Sequence, residues 1–282
     1  MYSRTALRVA MRRAAHQILD RPLVLEDPFA IRILPPDAAA EIGRDPERDG
    51  HPFARAMRAF MAVRSRFAED EFAEGVRRGV KQYVALGAGL DTFAWRNPYR
   101  DSGIRIFEVD HPATQAWKRE LIAKANLPEA AATYVPVDFE RESLADCLRT
   151  AGFRSDAPAF FSWLGVVPYL TRDAFRNTLR FFGGMSAGSG VVFDYALPRE
   201  AVDEDRLAAF DELSARVSSI GEPFQLFFMP DELGSEFQAI NWRVSAQLDA
   251  AAIRQRFFAS RADAPAAPAG RDGMARLVSA CV

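Results

Sequence analysis

From about residue 80 onward, short apolar runs alternate with amphipathic stretches along this chain. The apolar runs are rich in β-branched and aromatic residues, which is typical of buried strands, and the stretches between them repeat apolar positions at helical spacing. Strands separated by helices predict βαβ crossovers and a parallel sheet with helices on both faces. Seven strands are predicted, at residues 81–86, 104–109, 133–137, 158–163, 190–195, 241–247 and 274–282.

The segments between these strands predict helices, one of which has a clear start. Thr171, a preferred N-cap residue, precedes a predicted helix at 171–182. The last two strands are separated by a helix and by the loop ADAPAAPAG. Further helices are predicted at 112–126, 140–150 and 249–260. The fold class is therefore α/β.

The beginning of the chain has no strand pattern. Apolar residues recur at helical spacing over 5–19, several prolines follow, and a long helix is predicted from about 53 to 78. We expect residues 1–79 to form a helical cap, or lid, over the ligand-binding edge of the sheet. Residues 80–282 then form the core, with an insertion near 200–236 that carries one helix and an aromatic run.

Composition and charge exclude several classes of protein. Hydrophobic residues make up 49% and charged residues 26% of the chain, which is ordinary for a globular protein. A net charge of −2 argues against a protein that coats nucleic acid or an acidic membrane. Cys147 and Cys281 match no disulfide or metal spacing and predict reduced thiols. With no secretory signal pattern and no apolar stretch long enough to span a bilayer, we expect a cytoplasmic protein.

The strand at 81–86 ends abruptly in Gly87-Ala88-Gly89. A strand that stops in a glycine turn exposes bare backbone N–H groups, and α/β proteins hold nucleotide-like ligands at such strand ends. A dinucleotide fingerprint has a small third residue where this chain has Thr92, so NAD is less favoured but stays open. The chain contains no P-loop motif.

Acidic residues follow the next two strands. Asp110 lies 21 residues beyond Gly89, where a carboxylate accepts hydrogen bonds from the ribose of NAD or of S-adenosylmethionine. It is also suited to capping a helix that begins at Pro112. Asp138 and Phe139, after the third strand, suit an adenine; alternatively, Asp138 caps the helix at 140–150 and Phe139 belongs to the core.

Five segments together carry a resemblance to a known family: TALRVAMRRAA...LVLEDPFA (5–30), LGAGLDTFAWR (86–96), FEVDHP (107–112), VDFER (137–141) and WLGVVPYL (163–170). They resemble S-adenosylmethionine-dependent methyltransferases of the leucine carboxyl methyltransferase type. That branch includes protein-phosphatase carboxyl methyltransferases and bacterial small-molecule O-methyltransferases. The resemblance implies the class I methyltransferase fold, a Rossmann-like, seven-stranded, mostly parallel sheet with a helical N-terminal cover. It also implies S-adenosylmethionine as methyl donor and S-adenosylhomocysteine as product.

The resemblance also implies a role for each matching residue. The family's cofactor-binding positions correspond to Arg64 for the methionine carboxylate, Gly87 and Gly89, with Ala88 between them, for the turn beneath the methionine, Asp110 for the ribose, and Asp138 with Phe139 for the adenine. We expect His111 near the ribose as well, because it directly follows Asp110. Where the family usually has Glu-Gly after the fourth strand, this chain has Leu164-Gly165. Leu164 is thus expected at a cofactor-binding position, where the polar contact of the family's acid is lost or replaced by backbone, and the departure favours the bacterial small-molecule branch.

Few residues are suited to acid–base catalysis, since the chain has three histidines and no metal-ligand cluster. A carboxylate acceptor is already ionised at neutral pH and needs no general base. A carboxylate, or an acidic phenol, is therefore the favoured acceptor. We expect Tyr169, Asp194 and Tyr195 around it, with Tyr195 either hydrogen-bonded to the acceptor oxygen or satisfied by water.

The sequence therefore predicts an O-methyltransferase that acts on a small molecule and has no nucleic-acid or membrane partner. The alternatives are an NAD-dependent oxidoreductase, a protein C-terminal carboxyl methyltransferase and a cofactor-binding protein without catalysis. The oligomeric state stays open, with a homodimer among the options. Arg4, Arg8 and Arg12 recur along one face of the first helix, either as a solvated face or with one of them binding an acidic substrate.

Overall fold

The computed structural model describes residues 3–139, 141–259 and 273–282. Its strands are β1 (Gln82–Leu86), β2 (Arg105–Asp110), β3 (Ala132–Pro136), β4 (Ala159–Trp163), β5 (Gly190–Ala196), β6 (Arg243–Leu248) and β7 (Ala275–Cys281). They form one sheet in the order β3-β2-β1-β4-β5-β7-β6. The pairs among β1 to β5 are parallel, and β7 pairs antiparallel with β5 and β6. The mostly parallel, seven-stranded sheet is confirmed.

Helices lie before, between and after the strands. Those of the described residues are α1 (Arg4–Leu19), α2 (Pro36–Glu41), α3 (Pro46–Gly50), α4 (Pro52–Arg77), α5 (Phe93–Arg96), α6 (Pro112–Lys124), α7 (Leu144–Thr150), α8 (Arg172–Gly183), α9 (Leu207–Ser218), α10 (Pro230–Gln238) and α11 (Ala250–Phe258). None of them is long and apolar enough to cross a membrane. Both cysteines are free thiols, as predicted.

Two helix predictions were wrong. The helix predicted at 140–150 begins only at Leu144, because the Ser143 side chain accepts a hydrogen bond from Asp146 N and caps it. The insertion at 200–236 carries α9 and α10 rather than one helix. Gly221, with φ of 81°, follows the first, and Pro230 occupies the first turn of the second. The loop ADAPAAPAG lies outside the described residues.

The two faces of the sheet pack against different helices. On one face, Phe67 and Phe72 of α4 are completely buried and belong to the same apolar cluster as Tyr83 of β1 and Val192 of β5. Burying a phenylalanine side chain stabilises a fold by about 1.5–3 kcal/mol. The helices before residue 80 therefore share a core with the sheet. On the other face, α8, α10 and the aromatic run of the insertion form a second cluster.

Buried ion pairs fix α1 against the segment that follows β1. Arg13 of α1 contacts Asp27 Oδ2 at 2.5 Å, Asp91 Oδ2 at 2.9 Å and Thr92 Oγ1 at 2.7 Å. The Asp27 side chain is fully buried and also pairs with Arg96 at 3.3 Å. Because Asp91 and Thr92 directly follow the glycine turn, this network holds the first helix over the carboxyl ends of the central strands.

Candidate active site

The glycine turn after β1 forms the floor of the site. Gly87 and Gly89 have φ angles of 68° and 49°, a region that glycine occupies without strain. A Cβ on Gly87 would lie 2.3 Å from Val166 Cγ2, so a larger residue has no room there. A Cβ on Gly89 would lie 3.2 Å from Ala6 Cβ, which places the start of α1 directly on the turn.

The amide groups of the turn are not bare, contrary to the sequence prediction. The N–H groups of Gly87 and Ala88 both donate to the carbonyl oxygen of Val109, at 2.8 and 3.0 Å. Gly89 N donates to Asp110 Oδ2 at 2.5 Å. The turn is thus tied to the end of β2, and the glycines provide close approach rather than unpaired donors.

Asp110 connects the ends of β1 and β2. Besides the bond from Gly89, its Oδ1 accepts a hydrogen bond from His111 N at 2.7 Å. Burial raises the pKa of Asp110, although both amide bonds favour its ionised form. Each carboxylate oxygen retains acceptor capacity beyond one amide bond, which suits a neighbouring diol.

His111, and not Asp110, caps the following helix. His111 is exposed, and its Nδ1 accepts a hydrogen bond from Ala113 N at 3.2 Å at the start of α6. The capping alternative for Asp110 is therefore wrong, and so is the one for Asp138, because Ser143 caps α7. The side chains that cap α6 and α7 are therefore those of His111 and Ser143.

Phe139 lines a cavity of about 340 Å³ between α7 and α8. Val166, which contacts the glycine turn, lines the same cavity, and so do Trp163 and Phe181. Asp138 precedes Phe139 at the end of β3 and is half-buried. A cavity with both aromatic and polar side chains in its lining can take a flat heteroaromatic ring.

On the opposite side of the turn, Arg64 of α4 reaches the ends of β4 and β5. Its Nη1 lies 3.2 Å from Asp194 Oδ2, and both side chains are buried. Asp194 Oδ1 accepts a hydrogen bond from Gly165 N at 2.6 Å. A Cβ on Gly165 would lie 2.8 Å from Arg64 Nη1, so glycine lets the guanidinium lie against the backbone. Leu164 packs against the apolar cluster on the α4 face, where it offers no polar contact.

Tyr169 lies beside this ion pair, near Arg64, Asp194 and Thr5. Burial raises the pKa of Tyr169 to about 12, with Asp194 adding to the effect and Arg64 opposing it. At neutral pH its phenol keeps its proton and can donate a hydrogen bond. The ring also contacts Phe224 of the insertion at a centroid distance of 5.3 Å.

Tyr195 does not fit the role that the sequence suggested. It is completely buried, and its hydroxyl accepts a hydrogen bond from Gln247 Nε2 at 2.9 Å, towards the β6 edge of the sheet. Its ring packs on Phe193 and Phe228, on the opposite face from Arg64. Because successive side chains of a strand point to opposite faces, Asp194 and Tyr195 cannot both face one acceptor. This arrangement does not support Tyr195 as an acceptor-binding residue.

The three histidines all have structural contacts. The buried His16 pairs with Asp20 at 2.9 Å and accepts a hydrogen bond from Val24 N at 3.1 Å. His51 and His111 each accept a hydrogen bond at a helix start. None of these contacts involves the Arg64–Asp194 pair or Tyr169.

Glu222 is a residue of this region that sequence reasoning missed. Its carboxylate accepts hydrogen bonds from Thr5 N at 3.0 Å and Arg4 N at 3.2 Å, so the insertion holds the N-terminus of α1. A carboxylate there also interacts favourably with the helix dipole. No local pattern could predict this contact, because the partners are more than 200 residues apart.

The sheet order, the closing antiparallel strand and the acids gathered around the glycine turn define a class I methyltransferase fold. Two solved structures share it. A DUF574-family protein from Streptomyces avermitilis MA-4680 aligns with a TM-score of 0.61 over 96% of both chains, at 17% identity. A Thermobifida fusca YX structure described as a "putative methyltransferase" aligns with a TM-score of 0.57 over 97% of this chain and 93% of its own, at 14% identity.

Sequence comparison identifies the family. The family described as leucine carboxyl methyltransferase matches residues 6–183. A Bacillus subtilis (strain 168) protein, "Putative S-adenosyl-L-methionine-dependent methyltransferase YktD", is 30% identical over 93% of both chains. A Mycobacterium marinum (strain ATCC BAA-535 / M) protein described as a "Putative S-adenosyl-L-methionine-dependent methyltransferase" is 35% identical over 86% of this chain and 84% of its own. The chain belongs to the leucine carboxyl methyltransferase family.

Proposed function

We propose that this protein transfers a methyl group from S-adenosylmethionine to a carboxylate oxygen of a small molecule. The donor supplies a methyl group already activated on a sulfonium, so the protein's main task is to orient and desolvate the reactants. The observation that carries the proposal is the convergence of Asp110, Arg64 and Asp194 around one glycine turn.

The residues around the turn fit this donor. Asp110 would accept hydrogen bonds from the ribose hydroxyls, and Asp138 with Phe139 would bind the adenine at the 340 Å³ cavity. Arg64 would bind the methionine carboxylate, since a buried guanidinium is a suitable partner for a carboxylate away from water. An NAD-dependent oxidoreductase is not favoured, because the family to which the chain belongs is one of methyltransferases.

The choice of a carboxylate as acceptor rests on the lack of a general base in this region. Within the described residues, no histidine contact involves Tyr169 or the Arg64–Asp194 pair, and the raised pKa of Tyr169 makes its phenol a poor base. An acceptor that is ionised before it binds needs no base. Tyr169 would then donate a hydrogen bond that orients the acceptor carboxylate. Glu222, by holding the start of α1, keeps the cover closed and favours a small molecule over a polypeptide tail.

Methyl-ester formation tests the proposal directly. The purified protein is incubated with S-adenosylmethionine and a panel of small carboxylic acids, each paired with its primary alcohol, and products are identified by mass spectrometry. We expect S-adenosylhomocysteine together with methyl esters of some acids, and no methyl ethers of the alcohols. Ether formation alone would contradict the carboxylate assignment. A thermal shift with NADH but not with S-adenosylhomocysteine would contradict the donor.

Asp110→Asn should weaken S-adenosylhomocysteine binding by about 1–2 kcal/mol, because the amide removes a charged acceptor from the ribose hydroxyls. Isothermal titration measures the change. Asp101→Asn, at an exposed position after α5, is the matched control and should bind like the wild type. Unchanged affinity in Asp110→Asn would remove Asp110 from the site.

A further inference from the structure

The cover helix α1 carries a positive charge that nothing so far explains. Arg12 is half-buried, and its side chain forms no hydrogen bond or ion pair with the described residues. Its neighbour Arg13 shows the usual arrangement, with two carboxylates around one guanidinium. An arginine that is withdrawn from water without an anion is costly. Such a position is reasonable where a ligand supplies the anion.

The surroundings of Arg12 are those of the acceptor region. Its strongest charge interactions are with Arg216 of α9, the phenol of Tyr169, Arg64 and Arg8. Burial, followed by the repulsion from Arg216, lowers the pKa of Arg12 to about 10, so it stays charged at neutral pH. No carboxylate is among these main contributions, and Asp194, an acid of this region, is paired with Arg64.

The spacing of residues along α1 independently places Arg12 on the side of the helix that lies next to Tyr169. Thr5 lies beside the Tyr169 phenol, and Arg12 is seven residues further along, on the same face of α1. Thr5 Oγ1 is itself buried without a hydrogen bond of good geometry to any part of the chain that the structure describes. The buried Thr5 hydroxyl and a guanidinium without a partner among the described residues therefore lie on the face of α1 next to Tyr169.

An apolar wall continues from Tyr169 into the insertion. The ring of Phe224 lies 5.3 Å from that of Tyr169 and 6.4 Å from that of Phe227, between centroids. Both phenylalanines are only partly buried. The region thus combines a cation, two hydroxyl groups and aromatic surface, which matches an acid with an aromatic body.

We propose that Arg12 binds the carboxylate of the acceptor, so that the two carboxylates in the reaction have separate arginines, Arg64 for the donor and Arg12 for an arylcarboxylic acid. This inference rests on the proposed function. It makes Arg12 the residue that determines the preference for an acidic acceptor, with Tyr169 donating to the same carboxylate.

The test measures binding of phenylacetate to the full chain saturated with S-adenosylhomocysteine, by isothermal titration. Phenylacetamide, which has the same shape and no charge, is the ligand control. Arg12→Gln should lower the affinity for phenylacetate at least about tenfold, since the acceptor loses a charged hydrogen bond. The affinity for S-adenosylhomocysteine should stay within about twofold of the wild-type value. Arg12→Lys, which keeps the charge, should bind phenylacetate with an affinity between those of the wild type and Arg12→Gln. Arg4→Gln, at an exposed position of the same helix, should bind both ligands like the wild type.

The outcomes separate this inference from the proposed function. If Arg12→Gln weakens the binding of S-adenosylhomocysteine as much as the binding of phenylacetate, Arg12 belongs to the donor site and the inference is overturned. Equal wild-type binding of phenylacetate and phenylacetamide, or no binding of phenylacetate, overturns it as well. If the wild type fails to bind S-adenosylhomocysteine, it is the proposed function that fails.

Discussion

Arg64→Gln is expected to weaken binding of S-adenosylhomocysteine by about 3 kcal/mol, roughly 100-fold, while 5′-methylthioadenosine binds as it does to the wild type. The two ligands share the adenosine and the sulfur, but only the first has a carboxylate. Arg64 is buried and meets Asp194 at 3.2 Å at the strand ends, so a second carboxylate there would bind a preorganised charge. Isothermal titration with both ligands measures the difference.

Removing Arg64 also leaves Asp194 buried with one remaining hydrogen bond among the described residues, from Gly165 N. The double variant Arg64→Gln/Asp194→Asn separates the two effects. If Arg64 only neutralises Asp194, the double variant recovers the affinity. If Arg64 binds the donor carboxylate, the double variant stays weak for S-adenosylhomocysteine, and this is the result that we expect. Equal losses for both ligands in the single variant would contradict the assignment.

Arg13→Met is expected to lower the free energy of unfolding by about 3–5 kcal/mol, because it breaks a buried ion-pair network on one side only. Asp27, with a fully buried side chain, would keep Arg96, Thr92 and the backbone amide of Phe29 as partners but lose its 2.5 Å ion pair. Burial alone would raise the pKa of Asp91, but Arg13, Arg96 and Lys118 together hold it below its ordinary value. Loss of Arg13 weakens that compensation as well. Denaturant unfolding measures the change.

Arg4→Met is the matched control, since Arg4 lies on the same helix at an exposed position and should change stability by less than about 0.5 kcal/mol. In Arg13→Met/Asp27→Asn the uncompensated carboxylate is removed, and part of the lost stability should return. If the free energy of unfolding of Arg13→Met lies within about 1 kcal/mol of the wild-type value, the network does not stabilise the attachment of α1.

The strands and the acids that follow them were predictable because both depend on local sequence. Period-2 and period-3.6 patterns are set by neighbouring residues, and parallel strands bring their carboxyl ends to one edge. Asp110 could therefore be assigned next to the turn that ends in Gly89, and the structure joins the two by a hydrogen bond. Alternation along β5 places Asp194 and Tyr195 on opposite faces, but only the structure shows that Asp194 is the one on the Arg64 face.

Three features could not be read from local patterns. Gly87 and Ala88 use their amides within the sheet, on a carbonyl of β2. Glu222 caps a helix more than 200 residues away. The recurrence of Arg4, Arg8 and Arg12 identifies a basic face, but it does not tell which arginine is covered.

The sequence by itself determined a parallel sheet with a glycine turn and acids at the carboxyl ends of its strands, along one edge, because strand periodicity and turn chemistry act over a few residues. Only the tertiary structure decided which side chains face that edge. Whether an arginine such as Arg12 is solvated or withdrawn from water depends on what packs above its helix. Here the neighbours are an insertion and a second helix, Arg216 and Arg64, which lie more than 50 residues away along the chain.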